Sequence, residues 1–205
     1  MACSREWETR LQARGLRPVA GVDEAGRGPL AGPVVACAVI LPDDFALPGL
    51  DDSKKLSAIQ RERCFGALTA HAAVVYAVGI CEAAEVDQLN ILRATHEAMR
   101  RALAGLALPA GHALVDGRPV PGLPVEHTAL VGGDGLSVSI AAASVIAKVT
   151  RDRLMREWDS RYPQYGFSRH KGYGTAEHLA RLAEHGPCPI HRRSFAPVSQ
   201  TAFGF

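Results

Sequence analysis

The chain has 205 residues, 47% hydrophobic and 21% charged, with a formal net charge of +2, which suits an ordinary globular protein with one sizeable core or two small ones. No apolar run is long enough to span a bilayer, and Met1 to Glu8 holds no signal-peptide core, so a cytoplasmic protein without a membrane partner is expected. Five widely spaced cysteines with no CxxC pair support neither a zinc site nor a disulfide framework, and mostly buried free thiols are expected.

Residues 5–14 read as a short helix stopped by Gly15. Residues 18–22 read as a short buried strand that the following glycines turn away sharply. The nearly continuous apolar run over 33–41 predicts a second strand, buried on both faces. A turn-rich loop over 42–52 leads into Asp51-Asp52-Ser53-Lys54-Lys55-Leu56. Ser57 and Gln60 then make a capping-box pattern, which starts a helix running to about 71. A third strand follows over 73–81, and three strands with short links predict an antiparallel meander. Over 90–106, Ile91, Leu92, Thr95, Met99, Leu103 and Leu106 recur at helical spacing, which marks an amphipathic helix. A fourth strand over 113–117 ends on Asp116, and a fifth over 125–131 leads into Gly132-Gly133-Asp134-Gly135. The longest helix spans 139–162 and lines up Ser144, Lys148 and Asp152 as one polar ridge. Thr175 caps a last helix closed by Gly186-Pro187. There is no internal repeat and no low-complexity tract.

The chemistry centres on Gly21-Val22-Asp23-Glu24-Ala25-Gly26-Arg27-Gly28-Pro29, two adjacent carboxylates followed by a glycine-bracketed arginine. On a regular strand Asp23 and Glu24 point to opposite faces. For both to serve one site, the strand must end or bulge there, with Glu24 reaching back. Asp116 and Asp134 also follow apolar runs. Four such carboxylates at one sheet edge would repel and raise one another's pKa, a conflict that divalent cations offset. Two Mg²⁺ ions about 3.5–4 Å apart would clamp the attacking water and leaving oxygen of a phosphodiester. Taken singly, each acid reads equally well as a turn or helix-capping residue. No HExxH, GxSxG or Walker sequence is present, and Pro29 and the glycine spacing spoil a dinucleotide fingerprint.

A second constellation is basic and aromatic, Arg169-His170-Lys171-Gly172-Tyr173-Gly174-Thr175. Tyr173 between glycines can stack on a sugar or base, or be a packed loop tyrosine. Lys54 and Lys55 are phosphate candidates or plain surface lysines. From Lys148 onward there are 10 Lys and Arg against 5 Asp and Glu, while the first 147 residues hold 13 against 16. A basic C-terminal third beside an acidic-centred body suits a polyanion drawn to a metal-loaded site, although a solvated surface reads almost as well.

Several blocks, in order, resemble the type 2 ribonucleases H, the bacterial ribonuclease HII group. They are residues 21–28, Asp52 to Ser57, Val115-Asp116-Gly117, Gly133-Asp134 with 139–152, 170–175, and His191-Arg192-Arg193-Ser194-Phe195. The resemblance runs from about Val19 to Val198. It implies an α/β ribonuclease H-like fold: a central mixed five-stranded sheet flanked by helices, with a C-terminal helical extension. One catalytic domain over 1–205 is expected, its core at about 18–198 and its C-terminal helical part from about 139. By resemblance Asp23, Glu24, Asp116 and Asp134 are the metal-binding catalytic acids, with Asp152 as an accessory acid. The backbone of Gly26, Arg27 and Gly28 and the Tyr173 hydroxyl would read the ribose 2′-OH. Lys54, Lys55, Ser144, Lys148 and Lys171 would hold phosphates. Gly132 stands where the family usually has a lysine, which removes one local charge contact.

The implied activity is Mg²⁺- or Mn²⁺-dependent cleavage of RNA in RNA–DNA hybrids, with incision 5′ to a single ribonucleotide embedded in duplex DNA. A metal-activated water would leave 3′-hydroxyl and 5′-phosphate ends. The expected partners are RNA–DNA hybrid and ribonucleotide-containing duplex DNA, engaged by a monomer. The alternatives are a DNA-only nuclease on a related fold and a non-catalytic nucleic-acid-binding module whose acids serve as caps.

Overall fold

The apolar runs nearest the N-terminus pair into the expected meander. Strand β1 (Val19–Ala25) runs antiparallel to β2 (Val34–Ile40), and β2 antiparallel to β3 (Val75–Cys81). On the other side of β1, strands β4 (His112–Asp116) and β5 (His127–Leu130) continue the sheet in parallel. The order β3-β2-β1-β4-β5 is the mixed five-stranded arrangement expected. The computed structural model describes residues 3–201, so residues 1, 2 and 202–205 of the expected domain lie outside it.

Helices cover both faces of the sheet, which is why every residue of β2 is buried. Helix α1 (Glu6–Ala13) lies beside the β4 and β5 end, where Leu11 packs with Leu114 and Leu130. Helix α2 (Ala58–Ala70) opens on the capping box of Ser57 and Gln60. Helices α3 (Ala83–Leu89) and α4 (Ile91–Ala104) close one core with Ala20, Val22, Ala36 and Val115. Helix α5 (Val138–Arg161), with α2, closes the opposite core over Val35, Cys37 and Val39. The C-terminal helical part adds α6 (Phe167–His170), α7 (Ala176–His185) and α8 (Val198–Thr201). It has a small core of its own around Met155, Tyr165, Phe167 and Ile190.

The long helix sits close to the sheet because its inner face is small. Ala141, Ala142, Ala143 and Ala147 are fully buried. Where α5 crosses β1 the strand offers Gly21, and a Cβ there would lie 2.1 Å from the Ser139 carbonyl carbon. Gly79 of β3 plays the same part for α4, since its Cβ would stand 2.0 Å from the Ala98 carbonyl oxygen. One glycine per face therefore sets the helix-to-sheet spacing.

Several expectations are corrected. Strand β1 does not stop at Val22; its pairing with β2 continues through Asp23↔Cys37, Glu24↔Ala36 and Ala25↔Val35. The neighbouring antiparallel strand keeps the backbone extended through both acids. Helix α3 falls between β3 and α4, where no helix was expected. Its cap is the Glu82 and Glu85 pair, and it ends on Asn90 at φ 67 rather than at a glycine or proline. Strand β5 is shorter than 125–131, and a 3₁₀ turn (Gly133–Gly135) follows it. Cys37, Cys64, Cys81 and Cys188 are buried free thiols and Cys3 is partly buried. Among the described residues no helix is long and apolar enough to cross a membrane.

Two glycine substitutions should separate spacing from propensity. Gly21→Ala forces overpacking at the α5 crossing and should cost about 2 kcal/mol or more. Gly66→Ala, in α2 with nothing within 4 Å of its Cβ position, should gain about 0.5–1 kcal/mol. Urea unfolding of both variants checks this, and equal effects would contradict the close approach of α5.

Candidate active site

Strands β1, β4 and β5 are parallel, so their carboxyl ends share one edge of the sheet, where open α/β sheets bind ligands. Val22 pairs with Val115, which makes Asp23 and Asp116 the next residues on adjacent strands. Alternation along each strand puts both on the α5 face of the sheet. Asp134 reaches the same point from the 3₁₀ turn between β5 and α5. The three acids each offer a carboxylate oxygen, and these oxygens all lie within 4.8 Å of one another. Asp116 Oδ1 accepts from the Gly133 N–H at 2.7 Å, and Asp23 Oδ1 from the Glu24 N–H at 2.7 Å.

Glu24 stands apart from this trio. Because β1 stays regular, its side chain leaves from the opposite face and comes within 3.4 Å of Arg27 Nη1. Neither the strand end nor the bulge expected to bring Asp23 and Glu24 together is present. Instead, pairing of β1 with β4 ends at Val22, and beyond it both acids line one cleft of about 260 Å³.

Gly26, Arg27, Gly28, Lys54, Lys148 and Tyr173 line the same cleft, whereas Lys55, Ser144, Lys171 and Asp152 do not. Lys54 Nζ lies 2.8 Å from Asp134 Oδ2, so this ammonium supplies a cation beside the last acid where Gly132 offers none. Ser144 is buried: its hydroxyl donates to the Ala141 carbonyl and accepts from the Ser53 N–H at 3.3 Å. It ties the Lys54 loop to α5 instead of facing the cleft. Lys55 pairs with Asp51 at 3.0 Å, and Lys148 with Asp152 at 2.7 Å. The Lys171 ammonium donates to the Ser168 carbonyl.

Burial, and then the charges of Glu24 and Asp116, push the Asp23 carboxyl well above the usual carboxylate range. Asp116 is raised by burial and then by Asp134. Glu24 is raised by burial, against an opposing pull from Arg27. Burial opposes the charge of Lys54, but its hydrogen bond to Asp134 wins and raises it. The edge is therefore over-supplied with buried negative charge.

Sequence reasoning missed two residues that shape the cleft, Arg151 and Arg192, both almost fully buried. Arg192 donates to the carbonyls of Gly26 at 2.6 Å, Arg27 at 3.0 Å, Pro29 at 2.8 Å and Gly32 at 3.0 Å. Arg151 donates to the carbonyls of Ala31 and Lys171 at 3.0 Å and of Pro33 at 2.9 Å. In a trans peptide the next N–H points opposite to the carbonyl. Holding the Gly26 and Arg27 carbonyls on Arg192 thus turns the Arg27 and Gly28 N–H groups away from it, leaving them to the cleft. Both lie in blocks that carry the resemblance, 139–152 and 191–195, but neither was given a role there.

A family model described as Ribonuclease HII matches residues 20–198. The chain belongs to the ribonuclease HII family. Its members are hydrolases, endonucleases acting on RNA in RNA–DNA hybrids, and the chain is an enzyme of that kind. It is 57% identical over 194 residues to the ribonuclease HII of Geobacillus kaustophilus, covering 95% of this chain and 74% of that protein. It is 57% identical over 195 residues to the ribonuclease HII of Syntrophotalea carbinolica, covering 95% and 92%. The crystal structure of ribonuclease H2 from Pyrococcus horikoshii superposes with a TM-score of 0.71 at 28% identity, covering 89% of this chain and 96% of that one.

Ribonucleases H are metal-dependent, and the carboxylates brought together here fit a divalent cation. The donors are oxygens only, the set that hard cations take. The Lys54 ammonium already sits on one of them as a stand-in charge.

A carboxyl raised on folding holds a proton that the unfolded chain has released, so its contribution to stability falls as pH rises from the ordinary carboxylate range through the raised value. In metal-free protein, Asp23→Asn should therefore be more stable than the parent at pH 8, with the gap closing toward pH 4. Thermal unfolding across that range checks this. A gap independent of pH would contradict the burial of charge at Asp23.

Proposed function

We propose that the enzyme incises duplex DNA on the 5′ side of a single embedded ribonucleotide, as well as cutting RNA in RNA–DNA hybrids, and leaves 3′-hydroxyl and 5′-phosphate ends. The observation that carries this reading is that Asp23 and Asp116 line one cleft with Gly26–Gly28 and Tyr173, while Asp134, which does not line it, brings a third carboxylate oxygen within 4.8 Å of theirs. Phosphodiester chemistry and a sugar-reading surface are then within reach of the same nucleotide.

Asp23, Asp116 and Asp134, with Glu24 from the opposite face of β1, would hold the divalent ion, Mg²⁺ or Mn²⁺. Bound there, such an ion supplies a nucleophilic water near neutral pH and takes up charge on the phosphate. The N–H groups of Arg27 and Gly28 and the Tyr173 hydroxyl hydrogen-bond the 2′-OH, the group that separates RNA from DNA. Arg27, Lys54 and Lys148 meet the phosphates beside the cut, while Lys55 and Lys171 serve phosphates farther along. With a cation held by the acids, Lys54 would no longer be needed at Asp134 and would be available to a phosphate. Asp152 orients Lys148 through their ion pair, and Ser144 steadies the Lys54 loop. The protein works as a monomeric single domain in the cytoplasm.

Cleavage mapping on a duplex with one embedded ribonucleotide, beside an all-DNA control, tests the reading. A cut on the 5′ side, absent in the control and without divalent metal, is expected; equal cutting of both duplexes would overturn it. Asp116→Asn should lower turnover at least about a thousandfold while the protein still folds and binds duplex. Tyr173→Ala should reduce the preference for the ribonucleotide-containing duplex about tenfold, one hydrogen bond plus its stacking. A uniform loss on every duplex would instead assign Tyr173 to general binding.

A further inference from the structure

Three segments distant in sequence meet behind the cleft: 26–33, 170–175 and 188–192. The Leu30 N–H donates to the Gly172 carbonyl at 2.8 Å, and the Arg192 N–H to the Leu30 carbonyl at 2.8 Å. Under Tyr173 lie three buried imidazoles, those of His170, His178 and His191.

Their protons follow from their partners. His178 Nδ1 lies 2.9 Å from the Tyr173 carbonyl oxygen. A carbonyl only accepts, so Nδ1 carries the hydrogen and Nε2 of the neutral ring accepts. His191 Nε2, 3.0 Å away, must then be the donor. That leaves His191 Nδ1 as an acceptor, met by the Cys188 N–H at 3.0 Å and the Cys188 thiol at 3.1 Å. His170 donates from Nε2 to the Tyr165 carbonyl at 2.9 Å and accepts the Gly172 N–H on Nδ1 at 3.2 Å. The rings of His170 and His178 stack with centroids 4.4 Å apart. Burial pulls His178 down and His191 to about 4, which keeps both neutral near pH 7. The chain from Cys188 through His191 and His178 to Tyr173 is thus fully satisfied with one set of tautomers.

The Tyr173 side chain needs such support. The residue is 46% exposed, so packing does little to fix its ring. A Cβ on Gly28 would lie 3.6 Å from Tyr173 Cε1, which places the phenol beside the glycine loop. Where that ring stands depends on the Tyr173 backbone. The same short segment that supplies His191 supplies Arg192, which holds the carbonyls of the opposing loop.

We propose that the Cys188–His191–His178 chain is a positioning device for substrate selection: it sets Tyr173 against the Gly26–Gly28 loop, and so sets how strictly the cleft separates ribose from deoxyribose. This rests on the reading that Tyr173 and that loop sense the 2′-OH. His178 and His191 act through Tyr173 and are positioning residues.

The test joins one measurement on the unmodified protein to two variants. Nitrogen-15 NMR of the imidazoles at pH 7 should find His178 as the Nδ1–H tautomer and His191 as the Nε2–H tautomer. His178→Phe keeps the ring shape and removes the donor. It should lower the affinity ratio of a single-ribonucleotide duplex over an all-DNA duplex about fivefold to tenfold, with all-DNA affinity unchanged. His178→Asn keeps an N–H near the Nδ1 position and should restore most of the ratio. An Nε2–H tautomer at His178, an unchanged ratio in folded His178→Phe, or an equal loss on both duplexes would overturn the proposal while leaving the ribose reading intact. Parent protein with no preference between the duplexes would overturn the ribose reading, and the proposal with it. The NMR result needs no variant, so it can refute the proposal even if His178→Phe does not fold.

Discussion

Like charges brought together out of water repel at full strength, and this fold brings its carboxylates together at one place. Asp23 and Asp116 are adjacent because β1 and β4 are parallel and in a register that ends on Val22↔Val115. Asp134 joins them because β5 leads straight through a 3₁₀ turn into α5. Nothing in the sheet itself neutralises the cluster; the Lys54 ammonium reaches in from a loop to do so, at 2.8 Å from Asp134. A site strained in this way by its own charge has a built-in affinity for a multivalent cation. The close seating of α5 on Gly21 matters for the same reason, since it holds the 3₁₀ turn and the Ser144 anchor of the Lys54 loop against the sheet edge.

Beside this negative centre stands an opposite device. Two buried guanidinium groups, Arg151 and Arg192, are spent on backbone carbonyls and not on carboxylates. Burial lowers the pKa of Arg151 to about 10 and of Arg192 to about 9, which still leaves both charged near neutral pH. Six carbonyl hydrogen bonds from the two side chains give the loop 26–33 a fixed shape without regular secondary structure, and a seventh, to Lys171, ties it to the segment before Tyr173. A loop so held has its amides fixed in advance, which would lower the ordering cost of any ligand bound there. The acidic centre and the held loop thus come from separate parts of the chain that share one cleft.

Much of this was legible in the sequence, for physical reasons that differ by element. Apolar runs followed by an acid marked Asp23, Asp116 and Asp134, because a carboxylate at the end of a buried run stands out against it. Side-chain caps at Ser57 and Thr175 fixed helix starts to within a residue. The extension of β1 through Glu24 was not legible, since it depends on β2 continuing alongside. Helix α3 has seven residues and stops on Asn90 without a glycine or proline, so it left no ordinary punctuation. Arg192 and Arg151 received no role because their partners are carbonyls contributed by remote loops, which no local pattern reveals. For the same reason Ser144, on the correct helical ridge, turned out to sit under the Lys54 loop.

We infer that Asp23, Asp116 and Asp134 would surround a divalent cation. Anomalous diffraction from crystals soaked in Mn²⁺ tests it most directly. A peak within coordinating distance of oxygens of these three acids is expected, with Lys54 swung off Asp134. Manganese bound only elsewhere, with the Lys54–Asp134 pair still closed, would contradict it.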